Sequence, residues 1–196
     1  MTLFLPGWGA LPEVWAPFAA SGDRLGGEPE PGDEVVAWSL GAMRALDAAT
    51  RIELGSLTLV GASPQFVRSG SYRNGWPARA LNRMRERLAS EPEAVLDDFL
   101  PLMFAPDETP VQPPREGDSR VLADGLAFLE RYSMRDLAAQ INCPVRLLHG
   151  GRDAVCPLAG AELLAGALPD AELTVWPEAG HAPFLTRPER FRSWLH

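Results

Sequence analysis

The stretch Glu34–Met43, EVVAWSLGAM, joins a run of strand-forming residues to a helical pattern through one serine. Ser39 lies in Ala-Trp-Ser-Leu-Gly, which differs at one position from the G-x-S-x-G pattern of a nucleophile elbow. Such a turn needs small residues two before and two after the serine, because larger side chains would collide with the neighbouring strand and helix. The stretch predicts a nucleophilic Ser39 with the Leu40 N–H directed at an oxyanion; the alternative is an ordinary polar loop residue.

Five short apolar runs predict the strands of a sheet. They are Thr2–Leu5, Glu34–Trp38, Ser56–Gly61, Pro144–Gly150 and Ala171–Trp176. Continuous apolar runs of this length are typical of parallel strands that are buried on both faces. Helical patterns at Gly41–Thr50 and Pro157–Leu168 alternate with these runs, which indicates βαβ units and an α/β fold.

The middle of the chain breaks this alternation, because residues 65–137 contain no convincing strand pattern. Three helices are predicted there, at Trp76–Ser90, Glu91–Met103 and Asp124–Ala138. A loop rich in proline and acidic residues, Ala105–Asp118, separates the last two. We therefore expect a core of residues 1–64 and 138–196, with residues 65–137 inserted as a helical lid.

The composition excludes several classes of protein. The 196 residues suit one domain, and the hydrophobic fraction of 46% is typical of a globular chain. The net charge of −8 argues against nucleic-acid binding, and no apolar run approaches the roughly 20 residues of a membrane span. The N-terminus lacks the features of a secretion signal. We expect a cytoplasmic monomer that contacts no membrane, with Cys143 and Cys156 as reduced thiols.

A serine nucleophile requires a base, which in turn is oriented by an acid. His181 lies in a loop just after the last predicted strand, whereas His149 ends a strand and suits a structural role, and His196 is the final residue. Asp153 lies in a glycine-rich loop after the preceding strand. The order Ser39, Asp153, His181, each beyond the carboxyl end of a strand, is that of α/β-hydrolases. We predict this triad; the alternative is three polar loop residues with unrelated roles.

The loop after the first strand is predicted to complete the oxyanion hole. It reads PGWGA, Pro6–Ala10, and its two glycines allow the backbone to approach a substrate closely. The N–H of Trp8 would be the second donor, beside that of Leu40. The alternative is a plain glycine turn with a packing tryptophan.

Several motifs together resemble one family, the pimeloyl-acyl carrier protein methyl ester esterases of biotin synthesis. They are GWGALPEVW, AWSLGAM, VGASPQF, GGRDAVCP and AGHAPFLTRPERF. The resemblance implies a serine carboxylesterase with no metal or organic cofactor, and a substrate carried by an acyl carrier protein. It gives Ser39, Asp153 and His181 the triad roles and places Trp8 and Leu40 beside the ester. Alternatives are a general short-chain carboxylesterase or thioesterase, and a non-catalytic binding module of the same fold.

The same resemblance implies that one lid segment, FLPLM, lines the acyl chain. Its residues are Phe99, Leu100, Pro101, Leu102 and Met103. The alternative for each residue is packing of the lid onto the body of the protein. Members of the family usually have histidine before Gly-Trp-Gly, where this chain has Pro6.

The chain is also shorter than typical members, and its first strand corresponds to the third of the usual eight. We therefore expect a reduced sheet of about five strands with Thr2–Leu5 at its edge. Residues 13–33, or a partner, would have to cover that edge. The sequence leaves open whether residues 20–33 contain a strand.

Every basic residue of the chain is an arginine, and six of the 18 lie between residues 68 and 87. Arg79, Arg83 and Arg87 recur at helical spacing and form one stripe. Acyl carrier proteins are strongly acidic, so this stripe is a candidate docking surface. The alternative is a solvated face that pairs with nearby glutamates, namely Glu86, Glu91 and Glu93.

Overall fold

The computed structural model describes residues 1–107 and 112–196. One parallel sheet of six strands, in the order β2-β1-β3-β4-β5-β6, runs through it. The strands are β1 (Thr2–Leu5), β2 (Arg24–Leu25), β3 (Glu34–Trp38), β4 (Ser56–Val60), β5 (Val145–Gly150) and β6 (Ala171–Trp176). The five predicted strands are confirmed within one residue at each end.

Seven α-helices accompany the sheet in the described residues. They are α1 (Leu40–Ala49), α2 (Ala78–Leu88), α3 (Pro92–Phe104), α4 (Ser119–Arg131), α5 (Leu158–Ala167), α6 (Pro183–Thr186) and α7 (Pro188–Leu195). Short 3-10 turns occur at Pro12–Trp15 and Ala138–Gln140. Helices α1 and α5 connect neighbouring parallel strands, as the alternating pattern predicts. No helix of the described ranges is long and apolar enough to cross a bilayer.

The predicted bounds of α4 were wrong at both ends. The helix begins at Ser119, because the Asp118 carboxylate accepts a hydrogen bond of 2.8 Å from the Arg120 N–H and caps the first turn. It ends at Arg131, so the predicted continuation to residue 138 is not helical. Helices α2–α4 lie between β4 and β5 in the chain; the division into core and lid at residues 65 and 137 stays a prediction. Residues 108–111 of the predicted loop lie outside the described residues.

The sheet has one more strand than expected, because residues 24 and 25 pair with β1. Leu3 lies opposite Arg24, and the Gly26 N–H donates to the Phe4 carbonyl over 2.8 Å. Gly26 has a φ of +77°, a conformation that strains other residues, so the chain can leave the sheet directly after β2. Strand β1 is therefore an inner strand, and the open question about residues 20–33 is answered by β2.

An ion-pair cluster holds β2 in place. The Arg24 guanidinium contacts the carboxylates of Glu30 and Asp33. Asp33 is buried and also accepts the Glu30 N–H over 2.8 Å. The short strand is stabilised mainly by this cluster, since two residues of pairing contribute little by themselves.

Residues 13–20 cover one face of the sheet beside β1. The Trp15 ring is fully buried and stacks on Phe184 with centroids 4.3 Å apart. Its indole N–H donates to the Leu5 carbonyl over 2.9 Å. Leu5 is the last residue of β1, directly before the Pro6–Ala10 loop. The same tryptophan therefore packs the core and fixes the end of β1.

We expect Asp33→Ala to lower the free energy of unfolding by about 1–3 kcal/mol, because it leaves a half-buried arginine without its main partner. The matched control is Asp47→Ala, which breaks the more exposed Arg51–Asp47 pair and should cost about 0–0.5 kcal/mol. Urea unfolding measures both values. Equal losses for the two variants would contradict the role given to the Arg24 cluster.

Candidate active site

Ser39 occupies the turn between β3 and α1 with an unusual backbone conformation. Its φ of 54° and ψ of −114° make it the one non-glycine residue with positive φ among the described residues. Conformations of this kind cost free energy and cluster at functional sites. The Ser39 N–H donates to the Val60 carbonyl over 2.9 Å, and the Ser39 carbonyl accepts the Met43 N–H over 3.0 Å. The serine therefore has the sharp strand-to-helix turn that a nucleophile elbow requires.

The elbow is packed too closely for a side chain at the second small position. A Cβ placed on Gly41 would lie 2.6 Å from the Pro6 carbonyl oxygen and 2.7 Å from that of Leu5. At the first small position, the Ala37 methyl group is fully buried in the core. The departure from G-x-S-x-G at residue 37 is therefore accommodated, whereas residue 41 has to be glycine.

Three side chains that the sequence singled out form one hydrogen-bonded chain. His181 Nδ1 lies 2.7 Å from Asp153 Oδ2, and His181 Nε2 lies 2.8 Å from Ser39 Oγ. An ionised carboxylate can only accept, so Nδ1 carries the proton and Nε2 is free to accept the serine proton. All three residues are buried. This arrangement can deprotonate Ser39 as it attacks a carbonyl carbon.

The acid is held by its own loop. Asp153 Oδ1 accepts the N–H groups of Val155 and Cys156, each over 2.8 Å. His149, which the sequence assigned to a structural role, hydrogen-bonds the Cys156 carbonyl through Nε2 at 2.7 Å. Both cysteines are free, as predicted. The carboxylate that faces His181 is therefore rigidly oriented.

Direct hydrogen bonds link the loops that carry the serine, the acid and the base. The Trp38 indole N–H, one residue before Ser39, donates to the His181 carbonyl over 2.9 Å. The Arg152 N–H, one residue before Asp153, donates to the Ala179 carbonyl over 2.9 Å. The relative positions of the three side chains are therefore set by backbone contacts as well as by the side chains themselves.

The N–H groups of Trp8 and Leu40 are the predicted donors of the oxyanion hole, and the hole itself stays a prediction. The backbone N–H of each forms no hydrogen bond within residues 1–107 and 112–196. The Trp8 indole donates to the Leu122 carbonyl of α4 over 2.9 Å, and a Cβ on Gly125 would lie 2.8 Å from Trp8 Cδ1. Helix α4 therefore packs directly against the loop that would bind the oxyanion.

A small apolar cavity faces Ser39. It is lined by Trp8, Phe66, Trp76, Met84, Phe99, Leu126, Leu129 and Val155. Its free volume of about 10 Å³ has room for roughly one water molecule. Trp76, Met84 and Phe99 also line a groove of about 450 Å³ between α2 and α3. These three side chains therefore separate the groove from the cavity at the serine.

The segment Phe99–Met103 is divided between two environments. Phe99 lines the cavity at Ser39, and Leu102 lines the groove with 37% of its surface exposed. Leu100 and Met103 are buried in the core, while Pro101 is exposed, and none of these three lines the cavity or the groove. A helix can direct only one side of a five-residue run toward a ligand, so only Phe99 and Leu102 of this segment face the cavity or the groove; the role of the segment as an acyl-chain lining stays a prediction.

The three arginines of the predicted stripe have different surroundings. Arg87 is paired with Asp98 over 2.6 Å and with Glu91 over 3.1 Å. Arg79 and Arg83 line the groove, are exposed, and form no ion pair within the part of the chain that the structure describes. The solvated-face alternative therefore applies to Arg87, whereas the other two remain available to a partner.

Sequence reasoning missed Gly61, which lies at the carboxyl end of β4 next to the base. Its φ is +61°, and a Cβ there would lie 2.8 Å from His181 Cε1 and 2.9 Å from Nδ1. The imidazole therefore occupies the space that a side chain at residue 61 would fill. A glycine directly after a strand was the available signal. Most cavity-lining residues of the lid gave no local signal at all.

Comparison with known proteins identifies the family. Residues 5–194 match the profile of the alpha/beta hydrolase family. The pimeloyl-acyl carrier protein methyl ester esterase of Aromatoleum aromaticum is 34% identical, over 95% of this chain and 93% of its own length. The corresponding esterase of Chromobacterium violaceum is 34% identical, over 95% of this chain and 78% of its own length. The chain belongs to this esterase family of α/β-hydrolases. The resemblance drawn from its motifs is thereby confirmed, and so is its membership of the ester hydrolases.

Solved structures agree on the fold. An esterase from Exiguobacterium antarcticum superposes with a TM-score of 0.81 at 19% identity, covering 99% of this chain and 89% of its own. A bromoperoxidase from Bacillus anthracis superposes with a TM-score of 0.81 at 17% identity, covering 99% of this chain and 90% of its own. At such low identity these likenesses bear on architecture alone, and they confirm the predicted α/β-hydrolase fold.

We expect Gly61→Ala to reduce ester hydrolysis about 100-fold, since the new methyl group must displace the His181 ring from Ser39. The matched control is Gly166→Ala in α5, where an added Cβ meets nothing within 4 Å. The control should keep the wild-type rate and gain about 0.5–1 kcal/mol of stability from better helix propensity. Steady-state hydrolysis of a p-nitrophenyl ester measures the rates of the two variants, and urea unfolding measures the stability of the control. Wild-type activity of Gly61→Ala would refute this placement of His181.

Proposed function

We propose that this chain is a serine esterase that hydrolyses the methyl ester of pimeloyl-acyl carrier protein in biotin synthesis. The observation that carries the proposal is the buried chain from Ser39 Oγ to His181 Nε2 at 2.8 Å and from His181 Nδ1 to Asp153 Oδ2 at 2.7 Å. Family membership narrows the reaction to the hydrolysis of carboxylic esters. The substrate is the one named for the relatives in Aromatoleum aromaticum and Chromobacterium violaceum.

In the first half-reaction, Ser39 Oγ attacks the ester carbonyl carbon and its proton passes to His181 Nε2. The negative charge that develops on the carbonyl oxygen is stabilised by the N–H groups of Leu40 and Trp8. The tetrahedral intermediate collapses as the bond to the methoxy oxygen breaks. His181 gives its proton to that oxygen, methanol leaves, and the acyl group remains on Ser39.

In the second half-reaction, water attacks the acyl-enzyme and gives a proton to His181. The bond to Ser39 Oγ breaks, His181 returns the proton to the serine, and a free carboxylate is released. Asp153 holds the imidazole in the required tautomer throughout and remains ionised.

Charge and shape around the groove support a carrier-bound substrate. The groove between α2 and α3 has an apolar floor that includes Trp76, Met84 and Phe99, which it shares with the serine cavity. Arg79 and Arg83 stand at its side without carboxylate partners in the described residues. An acidic carrier docked on these arginines would present its acyl arm to the apolar floor. We assign Arg79 and Arg83 to docking, and Arg87 to the ion pairs that hold α2 beside α3.

The rate at which purified chain hydrolyses pimeloyl methyl ester, both carrier-bound and free, tests this assignment. We expect Arg79→Glu and Arg83→Glu each to lower kcat/KM for the carrier-bound ester about tenfold at low ionic strength. The rate for the free ester should not change, because neither arginine contacts Ser39. Arg51→Glu is the matched control, since it reverses an exposed charge outside the groove.

Ser39→Ala provides the background rate for both substrates. A general short-chain esterase would hydrolyse free and carrier-bound esters equally and would be insensitive to Arg79 and Arg83. A non-catalytic binding module would show no rate above that of Ser39→Ala. Either result would overturn the proposed function.

A further inference from the structure

His149 is a second buried histidine beside the acid of the candidate triad. It is the next-to-last residue of β5, four residues before Asp153, and both side chains are almost completely buried. Its Nε2 lies 2.7 Å from the Cys156 carbonyl oxygen and 3.4 Å from Asp153 Oδ2. The mechanism described above does not use this residue.

The protonation of His149 follows from its contacts. A carbonyl oxygen can only accept, so Nε2 must carry a hydrogen and donate it to Cys156. Burial lowers the pKa of His149 below its usual value, against the opposing attraction of the Asp153 carboxylate. The ring is therefore neutral at pH 7, and its one N–H is donated to the Cys156 carbonyl.

The His149 N–H binds the turn from Asp153 to Cys156, which is itself held by hydrogen bonds to the Asp153 side chain. Asp153 Oδ1 is occupied by the N–H groups of Val155 and Cys156, and Oδ2 by His181 Nδ1. The Cys156 residue that donates to Oδ1 is the same one whose carbonyl accepts from His149. A hydrogen bond that holds Cys156 therefore also holds one of the N–H groups that donate to Asp153, and His149 Nε2 lies 3.4 Å from Oδ2.

We propose that His149 is a positioning residue of the triad, which holds the turn from Asp153 to Cys156 through its bond to the Cys156 carbonyl and places its polar Nε2–H group 3.4 Å from the carboxylate. The inference rests on the proposed function in so far as Asp153 is the acid of an esterase. Without His149, Asp153 would lose both a support of its turn and a nearby positive dipole. A less well aimed carboxylate would lower kcat, and the loss of the N–H dipole near Oδ2 would leave more uncompensated negative charge beside His181.

The other groups around His149 would not produce the same effect. Besides Asp153, the charged or titratable groups that act on its imidazole are His181 and, from α5, Glu162. Glu162 is exposed and attracts protons to His149, whereas His181 opposes its protonation. Neither group accepts a hydrogen bond from Nε2.

The test compares His149→Gln with His149→Asn. The amide nitrogen of glutamine reaches about as far as Nε2 and can still donate to Cys156, whereas that of asparagine is one methylene shorter. Hydrolysis of a p-nitrophenyl ester is followed across pH, so the test does not depend on the carrier. We expect His149→Asn to lower kcat about tenfold with KM little changed. The acidic limb of the kcat/KM profile of His149→Asn should move to higher pH. His149→Gln should retain most of the wild-type kcat and the wild-type acidic limb.

Tyr72→Phe is the control for general destabilisation. It removes a buried hydrogen bond of 2.8 Å to Ser63 and should lower the melting temperature without moving the acidic limb. The downfield proton resonance of His181 Nδ1–H gives a second readout, which we expect to shift in His149→Asn and not in Tyr72→Phe. Equal kcat and equal acidic limbs in His149→Asn and His149→Gln would overturn the proposal. Because the ester is unrelated to the carrier, a chain that cleaves it but rejects the pimeloyl substrate would contradict only the proposed substrate.

Discussion

The backbone conformation of Ser39 is the constraint on which the rest of the site depends. A φ of 54° in a non-glycine residue costs on the order of 1–3 kcal/mol and persists only when its surroundings enforce it. Hydrogen bonds to Val60 and Met43 hold the two sides of the turn, and Gly41 allows the helix to approach the Leu5 and Pro6 carbonyls. The hydroxyl is thereby fixed above the carboxyl edge of the sheet, within hydrogen-bonding distance of His181.

A parallel sheet brings the partners of Ser39 to the same edge. Strands β3, β5 and β6 all end there, so the loops that follow them bring Ser39, Asp153 and His181 close together. The Trp38 indole and the Arg152 N–H then tie these loops together. Helix α4 also reaches this edge, since Gly125 lets it pack against both Trp8 and Leu40. The Pro6–Ala10 loop is therefore held between the sheet and α4.

Strand-end positions made the proximity of Ser39, Asp153 and His181 predictable from sequence, whereas tertiary packing hid much of their surroundings. Ser39 and His181 each follow a clear apolar run, so a local pattern locates them. Strand β2 has only two residues and depends on an ion pair with Asp33, which leaves no periodic signal. The capping of α4 by Asp118 also lies outside its apolar pattern. Likewise, which side of Phe99–Met103 faces the serine depends on how α3 packs, and no spacing within the segment encodes that.

The central claim is that Ser39 is the activated nucleophile, and covalent labelling tests it most directly. A fluorophosphonate reacts only with a serine whose proton can pass to a neighbouring base. After treatment of the folded chain, peptide mapping by mass spectrometry locates the modified residue. We expect stoichiometric labelling of Ser39 that disappears in His181→Ala, where the base is missing. An unlabelled Ser39 in the wild-type chain, or equal labelling in His181→Ala, would contradict it.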